Sequence, residues 1–222
     1  MTWLSMIAYY FLFSILFRYP YIFLAVVIAY ILRDRIPNPA DLFRRKKKIA
    51  QLNSMVSVNP YDSTARRDLG MLLLDAGRPG EARDNLIEAY RKDGGSAEIN
   101  HLLGLAMLRT GQAEKAAGYL ARAIEVEPRF RYGESYLYMG EAHLELGRPE
   151  DAVKTLNDFL AINNSSIEGK YFMAKALSLL GMKEEALKAA EEGIRFHRGN
   201  PSFRRRRDWR WNVKLKALRR RL

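Results

Sequence analysis

Four glycines recur at nearly equal intervals along the chain, and each is followed five residues later by an alanine. The intervals are 34, 36 and 34 residues, and the pairs are Gly77 and Ala82, Gly111 and Ala116, Gly147 and Ala152, and Gly181 and Ala186. A period of this length is typical of stacked helical hairpins that bury their apolar faces against one another. We therefore expect an all-α solenoid of about four hairpins, an architecture that favours binding of another protein over catalysis.

Other positions keep the same phase as the glycines. Small residues stand seven positions before each glycine, where two helices need to approach closely: Gly70, Gly104, Gly140 and Ala174. Nine positions after each glycine the chain has Leu86, Leu120, Leu156 and Ala190. Together with the glycine turn and the alanine, this pattern resembles the tetratricopeptide repeat (TPR) over residues 61–199. The resemblance implies that the first helix of each hairpin lines a concave face where a partner binds.

The repeat phase identifies the residues that would line this groove. They are largely apolar with scattered charges: Arg67, Met71, Leu74, His101, Leu105, Leu108, Arg109, Leu137, Glu141, Leu144, Tyr171, Lys175 and Ser178. The family's carboxylate clamp for chaperone tails needs Lys and Asn at set positions of the first repeats, and Arg67 and Met71 do not supply them. The lining therefore favours a short amphipathic helix over a charged extended tail. We expect about half of the set to be packed between helices instead.

The first 32 residues contain a single charged side chain, Arg18, and are dense in Phe, Tyr, Ile, Leu and Val. About 20 apolar residues suffice to cross a bilayer, so residues 1–32 are predicted to be a transmembrane anchor. A cleaved signal peptide is disfavoured, because the first residues carry no basic side chain and no small-residue cleavage site follows. Pro20 is expected to break the helix, which leaves two arrangements open: a single span, or a hairpin of two short helices.

Basic residues follow the apolar segment and predict its orientation. The positive-inside bias places such clusters on the cytoplasmic side, and residues 33–48, interpreted as a basic juxtamembrane linker, hold Arg44, Arg45, Lys46, Lys47 and Lys48. The repeats would then lie in the cytoplasm of a membrane-anchored protein, with a bacterial inner membrane favoured. Residues 49–60, with Leu52 and Met55 in helical phase, are predicted to form a degenerate half repeat that caps the first full one.

The excess positive charge lies outside the repeats. The chain carries a net charge of +12, but residues 49–197 carry −4, whereas residues 1–48 carry +6 and residues 198–222 carry +10. Both flanks are thereby suited to anionic lipid headgroups, since each Lys or Arg near such a surface contributes about 1 kcal/mol. Nucleic acid is a disfavoured partner, because no recognition motif accompanies the charge.

Residues 200–222 are predicted to form a basic amphipathic helix with Trp211, Leu215, Leu218 and Leu222 on one face. Three roles stay open for this helix. It would cap the last repeat with its apolar stripe, lie on a membrane surface, or bind a polyanion by charge and stacking. The cap is the preferred interpretation. The membrane-surface role would use the basic cluster of the linker together with Arg204, Arg205, Arg206, Arg207, Trp209 and Trp211.

Patterns typical of catalytic and metal sites are missing from the sequence. The three histidines lie 42 and 54 residues apart, there is no cysteine, and no phosphate-binding loop, HExxH or GxSxG motif occurs. We therefore predict no enzyme activity, no cofactor and no metal site.

Taken together, these features predict a membrane-anchored TPR adaptor that holds a protein partner near the cytoplasmic face of a membrane and assists assembly of a membrane or envelope complex. Two alternatives stay open. One is an import or targeting receptor on an organellar membrane, and the other is polyanion or nucleic-acid binding through the basic C-terminal tail.

Overall fold

The computed structural model describes residues 39–222 and, before them, eight single residues: Trp3, Tyr10, Arg18, Tyr19, Tyr21, Leu24, Ala25 and Val27. The chain divides into two units, Met1–Phe43 and Arg44–Leu222. The second unit contains the whole repeat region.

Ten α-helices and one short 3-10 helix make up residues 39–222, and this part of the chain contains no strand. In chain order the helices are α1 (Pro39–Val58), α2 (Ser63–Asp75), α3 (Pro79–Lys92), α4 (Ala97–Arg109), α5 (Ala113–Val126), α6 (Glu134–Glu145), α7 (Pro149–Ile162), α8 (Ile167–Leu179), α9 (Lys183–Gly199) and α10 (Ser202–Arg219). Helices α2 to α9 pack pairwise as four hairpins, and each hairpin packs on the next. The predicted solenoid of four hairpins is confirmed.

Each hairpin turns at one of the periodic glycines. These glycines have φ between +69° and +74°, a region that residues with a Cβ atom avoid. In the first hairpin the amide of Gly77 donates to the carbonyl of Leu74, and the amide of Arg78 donates to that of Leu73. These bonds satisfy the last carbonyls of α2. Pro79 then begins α3, where its missing N–H leaves no hydrogen bond unmade.

The small residues seven positions before the turns set the spacing within each hairpin. A Cβ atom built on Gly104 would lie 2.6 Å from Cγ of Leu120, and the first and third hairpins have the same contact. In the fourth hairpin the corresponding residues are Ala174 and Ala190, both fully buried. The close approach of the two helices is therefore made by glycine against leucine in three hairpins and by two alanines in the fourth.

The single interval of 36 residues has a structural cause. Between α5 and α6 the chain forms the 3-10 helix Phe130–Gly133, which has no counterpart elsewhere in residues 39–222. Arg131 and Tyr132 have φ of +46° and +58°, and Gly133 has φ of +81°. Two successive non-glycine residues in the left-handed region strain the backbone. This turn, which we call the insertion turn, also leaves Tyr132 exposed.

Helix α1 covers most of the predicted basic linker and most of the predicted half repeat, so no break occurs at residue 48. Ile49 and Leu52 are buried and belong to the same core cluster as the leucines of α2. Met55 is 44% exposed and lies outside this contact, contrary to its helical phase in the sequence. Arg45 donates from Nη1 to the carbonyl of Asp75 at 2.6 Å, which ties α1 to the end of α2.

Helix α10 packs its apolar stripe on the last hairpin. Leu215 is fully buried, and a Cβ atom on Gly193 of α9 would lie only 2.7 Å from its Cδ1 atom. Trp211 contacts the rings of Tyr171 and Phe172 at centroid distances of 5.4 Å. Helix α10 thus covers the end of the fourth hairpin, on which no further repeat packs.

The predicted location in a membrane, with the repeats in the cytoplasm, is wrong on the present finding. None of the helices in the described part of the chain is long and apolar enough to cross a bilayer. The anchor and its hairpin alternative concern residues 1–32, which lie outside the described residues apart from the eight single positions.

Candidate functional site

The first helices of the four hairpins, α2, α4, α6 and α8, lie side by side and share one face, which we call the groove face. Ion pairs join neighbouring helices across it. Arg67 of α2 lies 3.2 Å from Glu98 of α4, and Arg109 of α4 lies 3.0 Å from Glu141 of α6. These pairs are partly exposed, so each adds little stability on its own, but they fix the positions of charged groups on this face.

Nine of the thirteen predicted groove residues are at least partly accessible: Arg67, Met71, Leu74, Leu105, Arg109, Glu141, Tyr171, Lys175 and Ser178. The other four are buried, and their assignment to the groove is wrong: His101, Leu108, Leu137 and Leu144. The three leucines belong to the hydrophobic clusters between the helices. Residues three or four positions apart are offset by about 60° or 40° around a helix, so residues at the edge of one face can be buried against the neighbouring helix.

A recess of about 350 Å³ lies beside the first hairpin turn, where Gly77 and Pro79 line it together with residues of α2, α4 and α6. Its lining includes Leu74 of α2, Leu105 of α4 and Tyr138 of α6. The guanidinium of Arg109 lies 5.5 Å from the centroid of the Tyr138 ring. The recess therefore offers apolar contact beside a fixed cation, an arrangement suited to the side chains of a peptide.

A larger cleft of about 740 Å³ lies between α6, α8 and α10. The carboxylates of Glu134 and Glu168 line it beside Tyr138, and Arg204 and Arg207 of α10 stand at its edge. The sequence analysis missed Glu134, Tyr138 and Glu168 as site residues. Glu134 and Tyr138 lie seven and three residues before Glu141 on α6, and residues at these spacings share one side of a helix. This spacing was the signal in the sequence that could have identified both of them.

Burial changes the proton affinities of groups in this cleft. Desolvation, followed by the negative charge of Glu141, raises the pKa of Glu168 to about 7. Desolvation also raises the pKa of Glu134, although Arg131 and Arg207 counteract this. The pKa of Tyr138 is raised by burial and by the nearby carboxylates, so its hydroxyl stays protonated.

His101 is a buried neutral group behind the groove face. Its Nδ1 lies 2.9 Å from Oγ of Ser135, and its ring meets Phe130 of the insertion turn edge to face. Its Nε2 has no hydrogen-bond partner and lies 3.7 Å from Oε2 of Glu134. Burial, with Arg131 as a second cause, lowers the pKa of His101 to about 3.

The basic residues predicted to contact a membrane surface are mostly exposed, with two exceptions. Arg44, Lys46, Lys47, Lys48 and Arg204 to Arg207 are exposed, and Trp209 is 37% exposed. Arg45 is half-buried and bonded to Asp75. Trp211 is half-buried, and its ring packs against Tyr171 and Phe172 of α8 at tilted angles.

Comparison with known proteins identifies the repeats. Residues 73–133 and residues 134–163 each match a family model described as tetratricopeptide repeat. Residues 73–163 are therefore tetratricopeptide repeats. The family is one of interaction repeats and not of enzymes. Within the described residues, no three side chains of His, Cys, Asp or Glu come together as metal ligands.

One relative by sequence and two solved structures are similar to this chain over about three quarters of its length. The DnaJ homolog subfamily C member 7 homolog of Schizosaccharomyces pombe is 25% identical over 174 residues, which are 72% of this chain and 36% of that protein. The chain thus spans about a third of the relative's length. A crystal structure of MamA covers 74% of this chain and 97% of its own, with a TM-score of 0.64 and 21% identity.

A second solved structure is YrrB, described as a TPR protein with an unusual peptide-binding site. It covers 76% of this chain and 82% of its own, with a TM-score of 0.61 and 17% identity. At these identities the likeness to MamA and YrrB establishes the shared fold alone.

Proposed function

We propose that this protein is an interaction scaffold whose groove face binds a segment of a partner protein. The observation that carries the proposal is the accessible apolar recess at Leu74, Leu105 and Tyr138, bordered by Arg109. Small apolar recesses beside fixed charges suit a short amphipathic helix, which places its apolar side chains in the recess and its polar ones at the edge. The peptide-binding site named for YrrB is in keeping with such a role.

The finer proposal is that the protein acts as an adaptor in assembly of a larger complex. A solenoid has two separate surfaces, so a partner bound on the groove face leaves the outer helices α3, α5, α7 and α9 accessible to a second protein. The alternative of a receptor on an organellar membrane is not retained, because it depends on the membrane location.

A site-specific photo-crosslinker tests the binding face. The crosslinking residue is placed at Leu105 in the full-length chain expressed in its own cells, and in parallel at Leu187, which is 38% exposed on α9. We expect a discrete crosslinked partner from position 105 and none of the same mass from position 187. Crosslinks to the same partner from position 187 alone would contradict the groove-face assignment.

One observation favours a second activity, binding of polyanions by α10. Its apolar stripe packs inward, whereas Arg204 to Arg206 and Arg219 to Arg221 are exposed. Clustered arginines release counterions from a polyanion, so such binding should weaken steeply with salt. Fluorescence anisotropy with a labelled single-stranded oligonucleotide at several salt concentrations measures it. An affinity that does not change with salt would contradict it.

A further inference from the structure

We propose that the cleft between α6, α8 and α10 binds a basic side chain, arginine or lysine, of the partner segment. This inference rests on the proposed function, because it names the chemistry of the segment that the groove face would bind. The cation would lie between the carboxylates of Glu134 and Glu168, beside Tyr138, all three of which line the cleft. Glu141 does not line the cleft and acts on it only through its charge.

Glu134 and Glu168 come from two adjacent helices, and neither forms an ion pair with an arginine or lysine that the structure describes, although Arg131 and Arg207 act on Glu134 through their charge. Glu134, Tyr138 and Glu141 follow one another at spacings of four and three residues along one side of α6, and Glu168 is the second residue of α8. Glu141 receives Arg109 on Oε1, but its Oε2 is inaccessible and has no hydrogen-bond partner. Glu168 makes no hydrogen bond or ion pair with any residue that the structure describes.

An independent observation comes from the imidazole behind the cleft. His101 is fully buried, and its Nε2 points towards Glu134 without a hydrogen-bond partner. The separation of 3.7 Å from Oε2 of Glu134 is too long for a hydrogen bond, so neither atom satisfies the other. Buried polar atoms are rarely left in this state, because each missing bond costs free energy. The carboxylate of Glu134, whose side chain is 40% exposed, is therefore free to accept from a donor supplied by a ligand.

The electrostatics of the cleft favour binding of a cation. Burial disfavours the charged form of Glu168, and the nearby charge of Glu141 disfavours it further. Arg109 pairs with Glu141, outside the lining of the cleft, and Arg207 lies 3.3 Å from Asp208. Among the described residues, no arginine forms an ion pair with Glu134 or Glu168. A guanidinium entering the cleft would convert unpaired carboxylates into charge-assisted hydrogen bonds, which are the stronger kind.

The arginines at the edge of the cleft raise the opposite possibility, an acidic ligand. Arg131, Arg204 and Arg207 are exposed, whereas Glu134 and Glu168 are half-buried. Interactions of the less exposed groups are less screened by water and salt, so the carboxylates dominate the inside of the cleft. Charge complementarity therefore favours a basic side chain.

A peptide library tests this inference without knowledge of the natural partner. Random dodecapeptides are selected for binding to the full-length protein. The strongest binder is synthesised as selected and in a neutral form, in which citrulline replaces arginine and norleucine replaces lysine. Dissociation constants are measured by fluorescence anisotropy for the wild type, Glu168→Gln, Glu134→Gln and the control Glu191→Gln. Glu191 is exposed on α9. Circular dichroism confirms that each variant is folded.

The expected result is enrichment of one basic residue at a fixed position among the selected peptides. Neutralising that residue should weaken binding to the wild type at least about tenfold, as for the loss of one partner of a buried charge pair. The same change should have a much smaller effect on Glu168→Gln, because the two substitutions remove the same interaction. Glu191→Gln should behave as the wild type.

Two results would overturn the inference. The first is selection of peptides without basic residues, or of acidic peptides that bind the edge arginines. The second is equal loss of affinity on neutralising the peptide in the wild type and in both cleft variants. A library that yields no binder at all would contradict the proposed function as well, whereas binders without a basic preference would contradict only this inference.

Discussion

At the scale of single residues, the least ordinary groups are two buried titratable side chains with opposite responses to pH. His101 has a lowered pKa, so the folded state favours its neutral form. Its contribution to stability is present above the ordinary histidine pKa and is lost as the pH falls below it. Glu168 has a raised pKa, so the folded state favours its protonated form. Stability is then lost as the pH rises from the ordinary glutamate pKa to about 7.

Replacing Glu168 by Gln should therefore stabilise the protein in a pH-dependent way. Between pH 4 and pH 8, the stability of Glu168→Gln relative to the wild type should rise by roughly 1–3 kcal/mol, because the variant has no carboxylate to ionise. Urea unfolding at both pH values measures it. The charged groups that face Glu168 are Glu141, Arg109, Glu134 and Lys214, and they are the same in both proteins.

The control for this measurement is Glu191→Gln, whose carboxylate is exposed. Its stability relative to the wild type should not change between the two pH values. If the curves of Glu168→Gln and the wild type also stay parallel, Glu168 is solvated and the cleft is less enclosed than the structure indicates.

The glycine and leucine contact within each hairpin gives a second residue-scale prediction. Gly104→Ala should destabilise the protein by about 1–3 kcal/mol, because the added methyl group overlaps Leu120. In a Leu120→Ala background the same change should cost much less, since the fourth hairpin already has two alanines at these positions. Chemical denaturation of the four proteins gives the coupling energy between the two sites.

A matched control for the glycine contact is available on the other helix of the same hairpin. Gly118 lies within α5 and has nothing within 4 Å of a built Cβ atom. Gly118→Ala should stabilise the protein by about 0.5–1 kcal/mol through helix propensity. Destabilisation of similar size by both alanine substitutions would show that the close approach at Gly104 is not the cause.

At the scale of elements, helix α10 completes the solenoid by covering its last apolar face. Trp211 and Leu215 pack on α8 and α9, while Val213 on the same helix is 52% exposed. Repeat arrays need such a cover, because the terminal repeat has no further neighbour to bury its core.

Two substitutions on α10 test this role. Leu215→Ala should lower the stability by about 2–5 kcal/mol, as expected for a buried leucine in a close-packed site. Val213→Ala should have little effect. Thermal unfolding followed by circular dichroism measures both, and equal melting temperatures for the two variants would contradict the capping role. Removal of residues from Phe203 onward should destabilise or aggregate the protein in the same way.

The elements also show what could be predicted from the sequence. The glycine and alanine period located all four turns, because φ above zero and close helix packing each demand a particular residue type. The insertion turn was not predicted, because Arg131 and Tyr132 adopt left-handed backbone that their residue types do not indicate. Leu137 and Leu144 were predicted to line the groove, but they are buried in the core between helices. Periodicity identifies an apolar residue and does not identify the helix that it contacts.

The candidate site was predictable only in part for a related reason. The repeat phase predicted Leu74, Leu105, Arg109 and Glu141 as groove residues, and each is at least partly accessible. It did not find Glu134 or Glu168, because charged residues near the start of a helix are usually explained by the helix dipole. Their importance arises from burial beneath α10, a contact between distant parts of the chain that one sequence does not reveal.

At the scale of the whole molecule, the excess positive charge lies before and after the repeats along the chain. The repeat body is slightly acidic, and the positive charge lies in α1, before α1, and in α10. The groove face combines an apolar recess with a carboxylate-lined cleft next to it. A partner segment with apolar side chains and one basic side chain would fill the recess and pair with the carboxylates of the cleft. We expect the natural partner to carry this combination.

The most direct test of that claim is the affinity of one selected peptide for three forms of the full-length protein. The forms are the wild type, Leu105→Glu in the recess, and Leu187→Glu on α9 as the control. The account predicts that Leu105→Glu weakens binding at least about tenfold with unchanged helicity, as for loss of a central contact, while Leu187→Glu binds as the wild type does. Equal affinity of all three folded proteins would contradict the groove face as the binding surface.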